Sequence, residues 1–127
     1  MDIFVKRDDN VVVSVFAYED ANNVDATHDR TQVPKSVGEV KEIKFTFRKP
    51  THEDSMTITR SAQIRNDEAG SMDVVQFQNQ ILLNLCVDWD VTDADGRKVP
   101  VTRQGKLNLQ PAIARAAVAG ALEVIRL

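Results

Sequence analysis

Few residues in this chain have side chains that could do chemistry, and each can be tested against the spacing that its chemistry demands. The only cysteine, Cys86, would act as a nucleophile only beside a base that favours its thiolate. It lies instead in Ile81-Leu-Leu-Asn-Leu-Cys-Val87, an apolar helix face, where a buried small hydrophobe is expected. A lone cysteine also excludes an intrachain disulfide. His28 sits in a polar stretch and His52 at a helix start, and neither has a His or Cys partner at metal-ligand spacing. Asp88, Asp90, Asp93 and Asp95 suggest a calcium loop at first sight. Such a loop needs oxygen ligands at positions 1, 3 and 5, glycine at 6 and Glu at 12. Started at Asp90 it places Ala94 and Asp95 at the last two of the first four tests, started at Asp93 it places Arg97 and Lys98 there, and started at Asp88 it puts Asp93 in the glycine position. A turn held by Asx side chains over Asp93-Ala-Asp-Gly96 is the better reading.

Phosphate and acyl chemistry fare no better. The glycines at 38, 70, 96, 105 and 120 are scattered, and Gly105-Lys106 lacks the upstream glycine of a phosphate loop. No G-x-S-x-G elbow occurs. Glu53 and Asp54 form a carboxylate pair, but capping and the helix dipole account for them. A non-enzymatic protein with no metal and no cofactor is expected.

Composition narrows the partners. Over 127 residues the net charge is -3, and the nearest basic cluster, Lys41, Lys44, Arg48 and Lys49, is interrupted by Glu39 and Glu42. Nucleic acid is bound mainly by neutralising phosphates with a basic face, so no nucleic-acid partner is expected. No apolar run is long enough to span a bilayer, and Met1-Asp-Ile-Phe-Val-Lys-Arg-Asp-Asp9 has no secretory character, so no membrane association is expected either. The apolar share of 43% suits one globular domain over 1–127, and the aromatic share of 6% leaves aliphatic residues to build the core.

The elements follow from periodicity. Residues 2–6 and 11–18 read as a strand pair turning at Asp8-Asp9-Asn10, and Val11-Val-Val-Ser-Val-Phe-Ala-Tyr18 is rich in β-branched residues. Residues 19–38 carry no period and read as a long polar loop, functional or ordered only against a partner. In 39–48, Ile43, Phe45 and Phe47 alternate with Lys44, Thr46 and Arg48, a half-buried strand with its apolar face on a helix. Thr51 caps a helix over 52–66, Asn66-Asp-Glu-Ala-Gly70 breaks it, and Ser71 caps a central helix over 72–87 that ends near Trp89. That helix has two apolar stripes, Met72/Val75/Asn79/Leu82/Cys86 and Val74/Phe77/Ile81/Leu85. Val99-Pro-Val101 is extended and an edge strand at best, Thr102 caps a turn over 103–107, and Pro111 opens a narrow, Ala-rich helix over 111–125. Its small residues admit another backbone, from this chain or a second molecule. The fold class is α+β, with a small antiparallel sheet of about three strands in a β-rich part (1–48) and a three-helix C-terminal part (50–127).

Phe45-Thr-Phe-Arg-Lys-Pro-Thr-His-Glu-Asp54, then Trp89-x-Val-x-Asp-x-x-Gly-x-x-Val-Pro-Val-Thr102, then Leu107-x-Leu109 and the final helix resemble small tail-assembly proteins of tailed bacteriophages, especially the tail assembly chaperones. The likeness covers roughly 40–125. It implies a protein of the host cytoplasm that binds the long helical tape measure protein while the tail tube polymerises, with no catalytic residues. A client helix lying in a groove between helices fits that role. On this reading Phe77, Ile81, Leu85 and Trp89, with Val118 and Leu122, form the binding surface. The alternative is a structural component of the virion tail, neck or baseplate, joining neighbours by sheet extension through strand 43–47 and the 19–38 loop. A homo-oligomer is compatible with either.

Overall fold

A computed structural model describes residues 1–6, 9–63 and 72–127. The chain runs β1 (Asn10–Asp20), β2 (Asn23–Thr27), a 3₁₀ turn (Arg30–Gln32), β3 (Val40–Arg48), α1 (His52–Ala62), α2 (Val74–Leu85), β4 (Cys86–Trp89), α3 (Arg103–Leu107) and α4 (Pro111–Val124). The strands form one antiparallel sheet in the order β2-β1-β3-β4. The expected α+β class is the observed one, with a fourth strand and a fourth helix beyond expectation.

Strand alternation decides which side of the sheet is covered. Val13, Val15 and Ala17 of β1 and Ile43, Phe45 and Phe47 of β3 point to one face and are buried. They share one apolar cluster with Ile58 of α1, Ile81, Leu82 and Leu85 of α2, and Ala117, Val118 and Ala121 of α4. On the opposite face Val12, Glu42 and Lys44 are exposed, and the Arg30 guanidinium lies 5.4 Å from the centre of the Phe16 ring. The apolar side of β3 packs on helices and its charged side meets water, as its alternation requires.

Several boundaries differ from expectation. Residues 2–6 form no strand, and Ile3 and Phe4 are exposed. The hairpin partner of β1 is β2, inside the expected loop 19–38, joined through Ala21 (φ 51°) and Asn22 (φ 67°). Two successive residues at positive φ make the turn whose twist matches paired strands. Of the turn expected at 8–10, Asn10 opens β1 and Asp8 lies outside the described residues.

Thr51 caps α1 as expected, in a capping box with Asp54. The helix stops at Ala62 rather than 66, because Gln63 turns extended and bridges Met72. The break at 66–70 and the expected cap Ser71 lie outside the described residues. The side chain that caps α2 is Asp73, which accepts from the Gln76 amide at 3.0 Å. Helix α2 ends at Leu85 rather than 87, since Cys86 pairs with Phe47 and begins β4. Trp89 therefore belongs to the sheet. Thr102 caps α3 and Pro111 opens α4, both as expected. Val99-Pro100-Val101 joins no sheet; Val99 donates to the Val91 carbonyl at 2.9 Å in a small loop pinned by a Thr92/Lys98 bridge.

The narrowness of α4 serves this chain's own sheet. A Cβ on Gly120 would stand 2.4 Å from Cγ1 of Val13 and 3.1 Å from Cβ of His28. The helix rests on β1 at that point with no room for a methyl group. β3 lies between β1 and β4, so the strand expected to extend the sheet toward a neighbour has both flanks occupied over 45–47.

Candidate functional site

Cys86, Lys106 and His28 each have a structural setting that the sequence leaves open. Burial pushes the Cys86 thiol up to about 11, so it stays protonated near neutral pH. Lys106, also buried, donates from Nζ to the Leu83 carbonyl at 3.1 Å. That places a cation at the carbonyl end of α2, where the helix dipole favours it. Burial lowers the Lys106 pKa all the same. His28 Nε2 and Glu123 Oε1 are 2.8 Å apart, a contact between the end of β2 and α4. His52 is exposed in the first turn of α1. Among the described residues, no three His, Cys, Asp or Glu side chains group closely enough to hold a metal ion.

The aspartates near Trp89 build the loop that follows it. Asp88 Oδ1 meets Lys98 Nζ at 2.9 Å, and Asp90 Oδ1 accepts the Lys44 amide at 2.7 Å. Asp93 Oδ1 accepts the amides of Asp95 and Arg97 at 2.9 and 3.0 Å, and Gly96 takes φ 78°. This is the Asx-stabilised turn that the residue types call for. The Trp89 ring stands edge-on to Phe45, centroids 6.0 Å apart, and its Nε1–H donates to the Val99 carbonyl at 2.8 Å.

The six residues expected to bind a partner do not form one open surface. Ile81, Leu85, Trp89 and Val118 are buried in the core, while Phe77 and Leu122 are half-buried. A docked helix cannot reach the first three, which the core encloses almost completely.

The neighbouring stripe is the accessible one. Val75, Gln78, Asn79 and Leu82 of α2 face Pro111, Ala114, Arg115 and Val118 of α4 across a groove of about 200 Å³. Each set repeats at i, i+3, i+4 and i+7, one face of a helix. Leu82 and Val118 are buried, and Val75 stands 74% exposed. Arg115 adds one exposed cation among the lining residues. The groove is smaller than the roughly 300–1,000 Å³ of sites for small organic ligands. Its dimensions suit inserted aliphatic side chains. Of the six expected residues only Val118 lines it. The stripe Val75/Asn79/Leu82 is visible in the sequence, but its Gln and Asn content makes it the less apolar of the two on α2, which is why it faces outward.

No helix among the described residues is long and apolar enough to cross a membrane. No known protein family, curated protein or solved structure matches the chain.

Proposed function

We propose that this chain is a non-enzymatic assembly protein that holds an amphipathic helix of a client in the α2–α4 groove. We further propose that the client is a phage tape measure protein and the chain a tail assembly chaperone. The observation that carries the helix-binding reading is the pairing of two i, i+3, i+4, i+7 stripes across one apolar groove, with Val75 74% exposed at its rim. Helix-in-groove recognition places side chains of the same periodicity between such walls. The reading of the client rests on the resemblance over 40–125. A tape measure protein is a long helix before the tube encloses it, and exposes apolar stripes that need cover.

Co-expression with a candidate tape measure protein tests the proposal. The expected outcome is co-purification and a larger soluble fraction of that client, both abolished by Val75→Asp with Ala114→Glu. Val75 is exposed and Ala114 half-buried, so circular dichroism of the variant checks that the fold is retained. No co-purification, or co-purification that this variant leaves intact, refutes the groove as the site. A structural role in the tail is the second reading, favoured by a stretch of β1 that has no strand on one flank among the described residues. Presence of the chain in purified particles distinguishes it, since a chaperone is released before the particle is complete.

A further inference from the structure

Among the described residues, one flank of β1 is paired over only part of its length. β3 runs along β1 from Asn10 to Tyr18, whereas β2 pairs only with Phe16 to Asp20. Opposite β3, residues 10–15 have no strand partner among the described residues. Past Thr27 the chain no longer pairs with β1 as a strand; His28 sits beside Gly120 and bonds Glu123 of α4.

The register fixes which backbone groups face this vacancy. The Lys49 amide donates to the Asp9 carbonyl at 2.8 Å, one step beyond the Asn10/Arg48 pair. Hydrogen-bonded pairs recur at every second residue of an antiparallel ladder. The odd-numbered residues of β1 therefore bond β3, and the N–H and C=O groups of Asn10, Val12 and Ser14 point to the vacant flank. The β1–β2 hairpin agrees, since Asp20 and Asn23 close its two-residue turn and the even-numbered Phe16 and Tyr18 lie in the same series. Such a row of unpaired groups is a template for another strand. Val12, in its middle, is 63% exposed.

The same chain carries a segment suited to it. Asp2-Ile-Phe-Val-Lys6 is β-prone, and its Ile3 and Phe4 are 87% and 85% exposed. It does not pair with β1 of its own chain. The Asp9 amide donates to the Lys6 carbonyl at 3.1 Å, and Asp9 presents its carbonyl toward β3. The Lys6 amide in turn donates to Asp9 Oδ2 at 3.1 Å, so Lys6 is held against Asp9 rather than along β1.

We infer that residues 2–6 of one copy add as an antiparallel strand to residues 10–14 of β1 in a second copy. With Phe4 opposite Val12, the even-numbered residues of both strands exchange backbone hydrogen bonds. Ile3 and Val5 then lie beside Val13 and Val11 on the helix-covered face, and Phe4 covers Val12 on the other. No like charges stand directly opposite, with Asp2 at Ser14 and Lys6 at Asn10. The inference does not depend on the α2–α4 groove.

Sedimentation of the intact chain over a wide concentration range tests it. The expected result is a mass above the 14.2 kDa of one chain. Reciprocal exchange doubles that mass, and head-to-tail addition gives a concentration-dependent series. Phe4→Asp, at an exposed position that leaves the fold intact, weakens association by roughly tenfold or more, about 1.4 kcal/mol. Val12→Pro does the same by removing a donor that faces the vacancy and none that faces β3. A chain that stays monomeric throughout overturns the inference. So does association that survives Phe4→Asp, which would assign the contact to another surface, such as two β1 flanks paired directly.

Discussion

Asp54 does three things at the start of α1. Its carboxylate accepts the Thr51 amide at 2.9 Å, accepts the Thr51 hydroxyl at 3.0 Å, and receives both terminal nitrogens of Arg48, Nη2 at 2.8 Å. The Arg48 guanidinium is the main cause that holds its pKa well below the ordinary 3.8. A carboxyl whose pKa is depressed by folding stabilises the fold above its unfolded pKa, and loses that contribution as pH falls toward the folded value. Asp54→Asn should therefore lower stability near neutral pH by about 1–2 kcal/mol. The gap between the two proteins should shrink as pH drops below about 4. Urea unfolding of both at neutral and acid pH checks the sign, and a constant gap refutes it. This capping box is legible from Thr51-His-Glu-Asp54 alone, as are the Asx turn at Asp93 and the starts of α3 and α4 at Thr102 and Pro111. Caps and tight turns are local, so a few adjacent residue types determine them.

Elements that depend on a distant partner were less legible. Cys86-Val-Asp-Trp89 continues an apolar helical pattern, yet becomes β4 because the edge of β3 is there to receive it. Its pairing even slips between Thr46 and Phe47 to fit the chain emerging from α2. β2 is five residues long and only weakly apolar, and it exists because β1 presents a ladder to it. In the candidate groove, the expected surface and the observed opening share helices α2 and α4, but the more apolar stripe on α2, with Ile81 and Leu85, lies in the core and the opening is lined by the neighbouring one. Contact between α4 and the sheet permits a direct test of packing. Gly120→Ala adds a methyl that would stand 2.4 Å from Val13. It should destabilise the fold by about 1–3 kcal/mol through forced displacement, despite the better helix propensity of alanine. Thermal unfolding reads this, and an unchanged or higher midpoint would show that β1 yields easily there.

For the whole molecule, the sheet and helix layer divide the surface into two separate places of contact. The groove opens between α2 and α4, and the vacant ladder lies along β1. Phe4→Asp should leave client binding intact while it reduces self-association, and Val75→Asp should do the reverse; pull-down and sedimentation on the same pair of variants score both. A single change that removed both properties would mean that association builds the client site. Trp89 gives the molecule an optical consequence. It is the only tryptophan, 3% exposed, and it joins the β3–β4 seam to the loop at Val99 and to Gly105 of α3. Its emission therefore reports on that seam alone, without labels. A red shift that precedes the loss of helical ellipticity during unfolding would mark the seam as the first part of the structure to admit water.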